Sequence, residues 1–239
     1  MAARQALQVH LDLLSQPCRA LHILLACTRL PHTVRHVALR RGEHRTPEFT
    51  EINPMQKVPV MVDNGFILTE SDAIIKYLVN KYDVPDHWYP RQPERRARVD
   101  EYTAWHHTHT RPHAAKVFLL EVLLPAQTGS PVEEQRLIGA LSQLQETLDQ
   151  LESMFLRRQP FLCGDDITVA DLLAVCELMQ PEGGGAGHPA GSPPASALEE
   201  SSSSCCGRRL RPGARRAVRP ERPAPRQAVT SHRGAGPAD

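Results

Sequence analysis

The stretch that most limits what this chain can become lies near its start. Leu7 to Leu13 alternates apolar and polar residues, the pattern of a half-buried strand. A few residues later Pro17 opens an apolar run to Thr28 that reads as a helix. Proline suits a first helical position, where its missing N–H costs nothing. Ser15 is therefore predicted at a tight strand-to-helix turn, its hydroxyl near unpaired N–H groups and the positive end of a helix. Such a site stabilises an anion. The position alone also fits an ordinary helix N-cap.

The pattern continues in kind. Thr33 to Val37 alternates again and predicts a second strand, while Arg40 to Glu51 reads as a loop with one short helix. Val58 to Val62 predicts a third strand, Asp63-Asn64-Gly65 a tight turn, and Phe66 to Leu68 the return strand of a hairpin. Thr69-Glu70-Ser71-Asp72 opens a helix with Ile74, Ile75, Leu78 and Val79 in register, ending near Lys81. The order is β-α-β-α-β-β-α. Pro59, at a strand start beside a turn, is a candidate cis proline.

Three prolines at 85, 90 and 93, with Trp88 and Tyr89 between, read as a linker. Helices follow. One is expected from Pro93 to about Leu124, with a break at Pro112. A second is announced by a capping box at Ser130-Pro131-Val132-Glu133, with a core stripe of Ile138, Leu141, Leu144, Leu148, Leu151 and Phe155. A third begins after Ile167, capped by Thr168, with Asp171 reciprocating and Ile167 stapled to Leu172. The expected division is an α/β unit over 5–84, a linker over 85–92, an all-α unit over 93–182, and a tail over 183–239.

That tail differs in composition. It holds eight Pro, nine Gly and seven Ser, and its only large aliphatic residues are Leu198, Leu210, Val218 and Val229. So little apolar area predicts disorder. Nine Arg against three Glu and one Asp make it +5, so residues 1–182 carry −4 of the chain's net +1. The overall balance gives no reason to expect nucleic-acid or membrane binding, and the tail has no aromatic residue for base stacking. The six Cys, at 18, 27, 163, 176, 205 and 206, follow no disulfide or CxxC spacing. With no signal peptide and no apolar run long enough for a bilayer, the expected setting is soluble, reducing and cytoplasmic.

Ser15-Gln16-Pro17-Cys18-Arg19, Asn53-Pro54 with Lys57-Val58-Pro59, and Thr69-Glu70-Ser71 resemble the theta class of cytosolic glutathione transferases. So do Ala97-Arg98-Val99-Asp100-Glu101-Tyr102 with Trp105, and Ile167 to Leu172. The resemblance covers about residues 5–181. It implies a thioredoxin-like N-terminal domain, an all-α C-terminal domain, glutathione as co-substrate with no other cofactor, and a homodimer. It further implies conjugation of glutathione to small hydrophobic electrophiles, alkyl halides among them, or reduction of organic hydroperoxides. Ser15 would be the hydrogen-bond donor to the glutathione sulfur. Val58, before a cis proline, would pair with the tripeptide backbone. Glu70 and Ser71 would take the γ-glutamyl ammonium and carboxylate. His44 and Lys57 would meet the glycine carboxylate, and His107 and Arg111 would border the electrophile pocket. Read on their own, Glu70 and Ser71 are equally an N-cap pair, and Lys57 and His44 equally surface bases.

Members of that family continue with further core helices and, in theta enzymes, a segment that covers the active site. Here Glu177-Leu178-Met179-Gln180-Pro181 is the last stretch that matches, before the Arg-Pro-Gly-rich tail. A second reading therefore stands beside the first: a truncated chain that binds glutathione or partners without turnover, with apolar faces of Leu172, Leu173 and Leu178 exposed. Two side readings concern other residues. His106, His109 and His113 share one helical face, which serves as a polar pocket wall more readily than as a zinc site, since zinc needs a fourth ligand. Cys18, three residues after Ser15, is a packed helix cysteine or a partner for a mixed disulfide.

Overall fold

A computed structural model of the chain describes residues 7–157 and 159–182. The predicted disorder of 183–239 lies outside the described residues.

Four strands make one mixed sheet in the order β2-β1-β3-β4. Strand β1 (Gln8–Leu11) runs parallel to β2 (Thr33–His36), with Gln8 opposite Thr33 and Leu11 opposite His36. It runs antiparallel to β3 (Val60–Asp63), which pairs antiparallel with β4 (Phe66–Thr69). The parallel pair needs a crossover, and helix α1 (Gln16–Thr28) supplies it. The antiparallel pair needs only a tight turn. Asn64 and Gly65 take it at φ 51° and 86°, the two positive angles that a two-residue hairpin demands. Helix α2 (Pro47–Ile52) precedes β3, and α3 (Ser71–Lys81) follows β4. This is a thioredoxin-like arrangement.

The third strand begins at Val60, two residues later than the expected start at Val58. Pro59 has no N–H to donate, and the ladder starts where Val60 meets Thr69. The Val58–Pro59 peptide is cis, as expected.

The rest is helical: α4 (Pro93–His106), α5 (Thr110–Phe118), α6 (Leu124–Thr128), α7 (Glu134–Gln150) and α8 (Val169–Glu182). The break expected at Pro112 falls instead at residues 107–109, before α5. Pro112 sits in the first turn of α5, where an N–H has no intrahelical acceptor, so it breaks nothing. Residues Leu119–Leu123 widen into a π-turn, and the Leu124 N–H donates to the Leu119 carbonyl. Pro125 follows and cannot donate to the turn below, which accounts for the local change in spacing.

The capping box at Ser130 does not form. Helix α7 starts at Glu134, with Glu133 as a cap residue whose side chain makes no capping bond. Of the predicted stripe, Leu144, Leu151 and Phe155 are buried and Leu148 packs beside them, but its first two members point outward. Ala140, Leu144 and Thr147 face inward, while Ile138 and Leu141 are exposed at 52% and 46%. The stripe is set by α5, whose Ala114 and Val117 form a small core with Ala140 and Leu144. The start of α8 follows expectation. Thr168 Oγ1 accepts from the Ala170 N–H at 3.2 Å, and Asp171 Oδ2 accepts from the Thr168 N–H at 2.8 Å.

The main core joins the sheet, α1, α3 and α8. Leu172 and Leu173 belong to it and are buried, not exposed as the truncated reading supposes. They face inward because α8 packs on α1 and α5.

Candidate active site

Asp12 shapes the turn after β1. Its Oδ1 accepts from the Leu14 N–H at 2.8 Å and its Oδ2 from the Leu39 N–H at 2.9 Å. From the other side the Arg19 guanidinium donates to the carbonyls of Leu13 and Leu14 at 2.9 and 3.2 Å. Ser15 ends this braced turn as the N-cap of α1, with extended backbone. Its hydroxyl makes no capping bond, so the capping role that the position suggests is not taken up. The hydroxyl instead borders a cleft. Cys18 is fully buried, and burial pushes its thiol up to about 11. It is a packed core cysteine, not one poised for exchange.

The cleft has a volume of about 430 Å³. Ser15, Gln16 and Pro17 line it from the head of α1, and Leu39 and His44 from the loop before α2. Asn53, Gln56, Lys57, Val58 and Pro59 line it from the approach to β3; Thr69, Glu70 and Ser71 from the entry to α3; and Arg111 from α5. Ser15, His44, Lys57, Val58, Glu70, Ser71 and Arg111 thus share one cavity, whereas His107 is exposed and outside its lining.

Local chemistry holds each wall. Asn53 is buried; its Oδ1 accepts from the Met55 N–H at 3.0 Å and its Nδ2 donates to the Lys57 carbonyl at 2.8 Å. That side chain folds the loop that delivers Lys57 and Val58. Glu70 stands at φ 66° as the N-cap of α3, a conformation that costs a non-glycine residue ~1–3 kcal/mol. Because no side chain caps α3, its first-turn N–H groups keep their capacity to bind an anion. The Ser71 hydroxyl beside them is buried and accepts from Arg111 Nη2 at 3.3 Å. His44 lines the cleft, and its Nδ1 is buried without a hydrogen-bond partner.

Arg111 is held from behind. Its Nε donates to Glu177 Oε1 at 3.0 Å and its Nη1 to His107 Nδ1 at 3.3 Å. The polar wall of histidines does not form, because the break at 107–109 leaves His106 at the end of α4, His109 in the turn and His113 in α5. His106 is fully buried, 3.9 Å from Glu177 Oε1, and burial pushes its imidazole down to about 3. His109 stacks on Trp105 at 4.6 Å, and His113 Nδ1 lies 2.6 Å from Thr147 Oγ1. Among the described residues no group of His, Cys, Asp or Glu is arranged to hold a metal, and no helix is long and apolar enough to cross a membrane.

Asp12, Asn53 and Glu177 build the site, yet sequence reasoning attaches no role to them, Asn53 entering only as part of the Asn53-Pro54 motif. Asn53-Pro54 carried a turn signal that could have pointed to the loop. Glu177 carried none, being an isolated acidic residue within an apolar stretch of the helix.

The family model for the glutathione S-transferase N-terminal domain matches residues 11–88. Bovine glutathione S-transferase theta-1 is 47% identical over 191 residues, 80% of each chain. Human theta-2B is 43% identical over 175 residues, 73% of this chain and 71% of the other. Among solved structures, human glutathione-S-transferase T1-1 in its apo form superposes with a TM-score of 0.73 at 42% identity, over 84% of this chain and 83% of that one. Human glutathione transferase theta-2, solved in complex with glutathione and an unknown ligand, gives 0.73 at 39%, over 84% and 82%. The chain belongs to the glutathione S-transferases, an enzyme family, and within them to the theta class.

Proposed function

We propose that the cleft binds glutathione and that the chain joins the glutathione sulfur to small hydrophobic electrophiles such as alkyl halides. The observation that carries this reading is the Ser15 hydroxyl, which is spared from capping at the N-terminus of α1 and borders the cleft. A free thiol with a pKa of about 8.5 is only a few per cent ionised at neutral pH. One hydrogen bond to the charged form, about 1.5–3 kcal/mol, brings it close to half ionised at that pH. Ser15 is that donor and forms no covalent bond itself. The thiol proton leaves to solvent. The thiolate attacks the carbon bearing the halide, a C–S bond forms, and the halide departs with the bonding pair. Reduction of organic hydroperoxides draws on the same thiolate.

The rest of the cleft orients the tripeptide. The Val58 backbone pairs with its cysteinyl unit as an added strand. The N-terminus of α3 with Ser71 takes the γ-glutamyl carboxylate, and Glu70 its ammonium. Lys57 and His44 face the glycine carboxylate. Arg111, in contact with Ser71, joins the γ-glutamyl end and the adjoining electrophile side. In this reading residues 5–84 hold glutathione, 85–92 link, and 93–182 bound the electrophile. The working unit is a homodimer in a reducing cytoplasmic compartment, a setting that suits Cys18, Cys27, Cys163 and Cys176, which form no disulfide. The test passes the purified chain over immobilised glutathione and assays it with a small alkyl halide and an organic hydroperoxide. Retention with turnover is expected; passage without retention and no turnover overturns the reading. Light scattering at twice the chain mass is expected for the dimer.

A further inference from the structure

Glu177 lies in α8 with 1% of its surface exposed. A carboxylate buried to that degree needs a partner, and even a paired one adds little stability over an apolar side chain of the same volume. Only one of its oxygens is engaged. Oε1 accepts from Arg111 Nε, while Oε2 has no hydrogen-bond partner. The neighbouring imidazole of His106 is driven neutral by burial and supplies no countercharge. The one hydrogen bond of this buried carboxylate therefore goes to a side chain that lines the cleft.

The geometry of that bond matters. A guanidinium is a rigid planar fork, so fixing Nε fixes where the remaining N–H groups point. With Nε on Glu177, Nη2 lies 3.3 Å from Ser71 Oγ, at the N-terminus of α3. Released from Glu177, a long and partly exposed arginine has many rotamers, and few of them bring the fork there. We propose that Glu177 is a positioning residue that aims Arg111 at the N-terminus of α3, where its fork adds a charged donor to the groups gripping the γ-glutamyl carboxylate. This rests on the reading of the cleft as a glutathione site.

The test compares glutathione with the analogue 4-aminobutanoyl-cysteinyl-glycine, which lacks only that carboxylate. Dissociation constants are measured by titration calorimetry on the wild type and on Glu177→Gln. The wild type is expected to bind the analogue about 100-fold more weakly than glutathione, through several charge-assisted bonds. In Glu177→Gln the discrimination is expected to fall to about 10-fold, with analogue binding unchanged. A role in packing alone weakens both ligands equally and leaves the ratio at its wild-type value, which overturns the proposal. If the wild type binds glutathione but does not discriminate, the assignment of the α3 N-terminus fails and takes the proposal with it. If the wild type binds neither tripeptide, the reading of the cleft itself fails. Should the Gln variant not fold, Glu177→Asp serves: it keeps the buried charge but withdraws the oxygen by one methylene, and the same partial loss of discrimination is expected. In an Arg111→Ala background, Glu177→Gln is expected to leave the ratio where Arg111→Ala alone puts it; a further drop overturns the proposal.

Discussion

Arg19 and Cys176 are 157 residues apart in sequence, yet the Arg19 guanidinium donates to the Cys176 main-chain carbonyl at 2.9 Å. The same buried side chain bonds Gln180 Oε1 on α8 and the carbonyls of Leu13 and Leu14 on the turn before Ser15. One residue thus ties that turn to the last described helix. Arg19→Ala leaves these acceptors without a donor in a buried setting, at about 1–3 kcal/mol for an unsatisfied group. The expected result is a loss of ~2–4 kcal/mol in urea unfolding, together with a fall in kcat/KM as the turn loosens. An unchanged unfolding midpoint would show that the brace is dispensable.

Ser15→Ala is expected to separate activity from stability. The hydroxyl caps nothing, so the unfolding midpoint should move by less than ~0.5 kcal/mol. Loss of the thiolate donor should lower kcat/KM about 10- to 100-fold and raise the pKa of bound glutathione, read from thiolate absorbance against pH. Activity equal to wild type would remove Ser15 from the mechanism.

Asp171 is buried and accepts from the Leu162 N–H at 2.9 Å, the Thr168 N–H at 2.8 Å and the Thr168 hydroxyl at 3.0 Å. It closes the start of α8 and fastens the preceding loop. Asp171→Ala orphans the buried Leu162 and Thr168 N–H groups, so a loss of about 2–4 kcal/mol is expected in chemical denaturation. A change under about 0.5 kcal/mol would mean the loop finds other partners.

Asp63 links β3 to α3. Its Oδ2 accepts from Lys81 at 2.6 Å, Tyr82 at 2.9 Å and Tyr77 at 3.0 Å. Burial alone would raise its carboxyl, but the bonds from Lys81, Tyr82 and Tyr77 outweigh it and hold the carboxyl below its ordinary value. The folded state therefore binds this proton less readily than the unfolded state. The resulting stability is complete above the ordinary carboxylate range and is lost as pH falls through the lower folded value. Asp63→Asn is expected to be destabilised at pH 7, with the gap from wild type shrinking toward pH 3. The two tyrosines should account for most of it, since Lys81 is 41% exposed. Unfolding midpoints at the two pH values check this, and a gap independent of pH refutes it.

Short-range patterns were legible because their causes are short-range. Asn64-Gly65 makes a hairpin through its own positive φ angles, and Thr168 with Asp171 caps α8 across one turn. Of the cleft residues, Ser15 was marked by its place at a strand-to-helix turn, whereas Val58, Glu70 and Ser71 were marked only by the resemblance of their motifs to a known family. Misreadings came where a neighbour decides. Nothing in α7 itself says that Leu144 faces α5 while Leu141 faces solvent, because both fit a helical stripe and only the packed partner selects the face.

The order of elements along the chain, the hairpin and the cap of α8 were thus settled locally, by periodicity and by the backbone preferences of Pro, Gly, Asn, Ser and Thr. The bracing of Ser15 by Arg19, and the aim of Arg111 from Glu177 toward Ser71, were decided only when α8 packed against α1 and α5. Contacts spanning that much chain leave no local spacing to read. They arise from burial, which brings distant charges together and makes each require a partner.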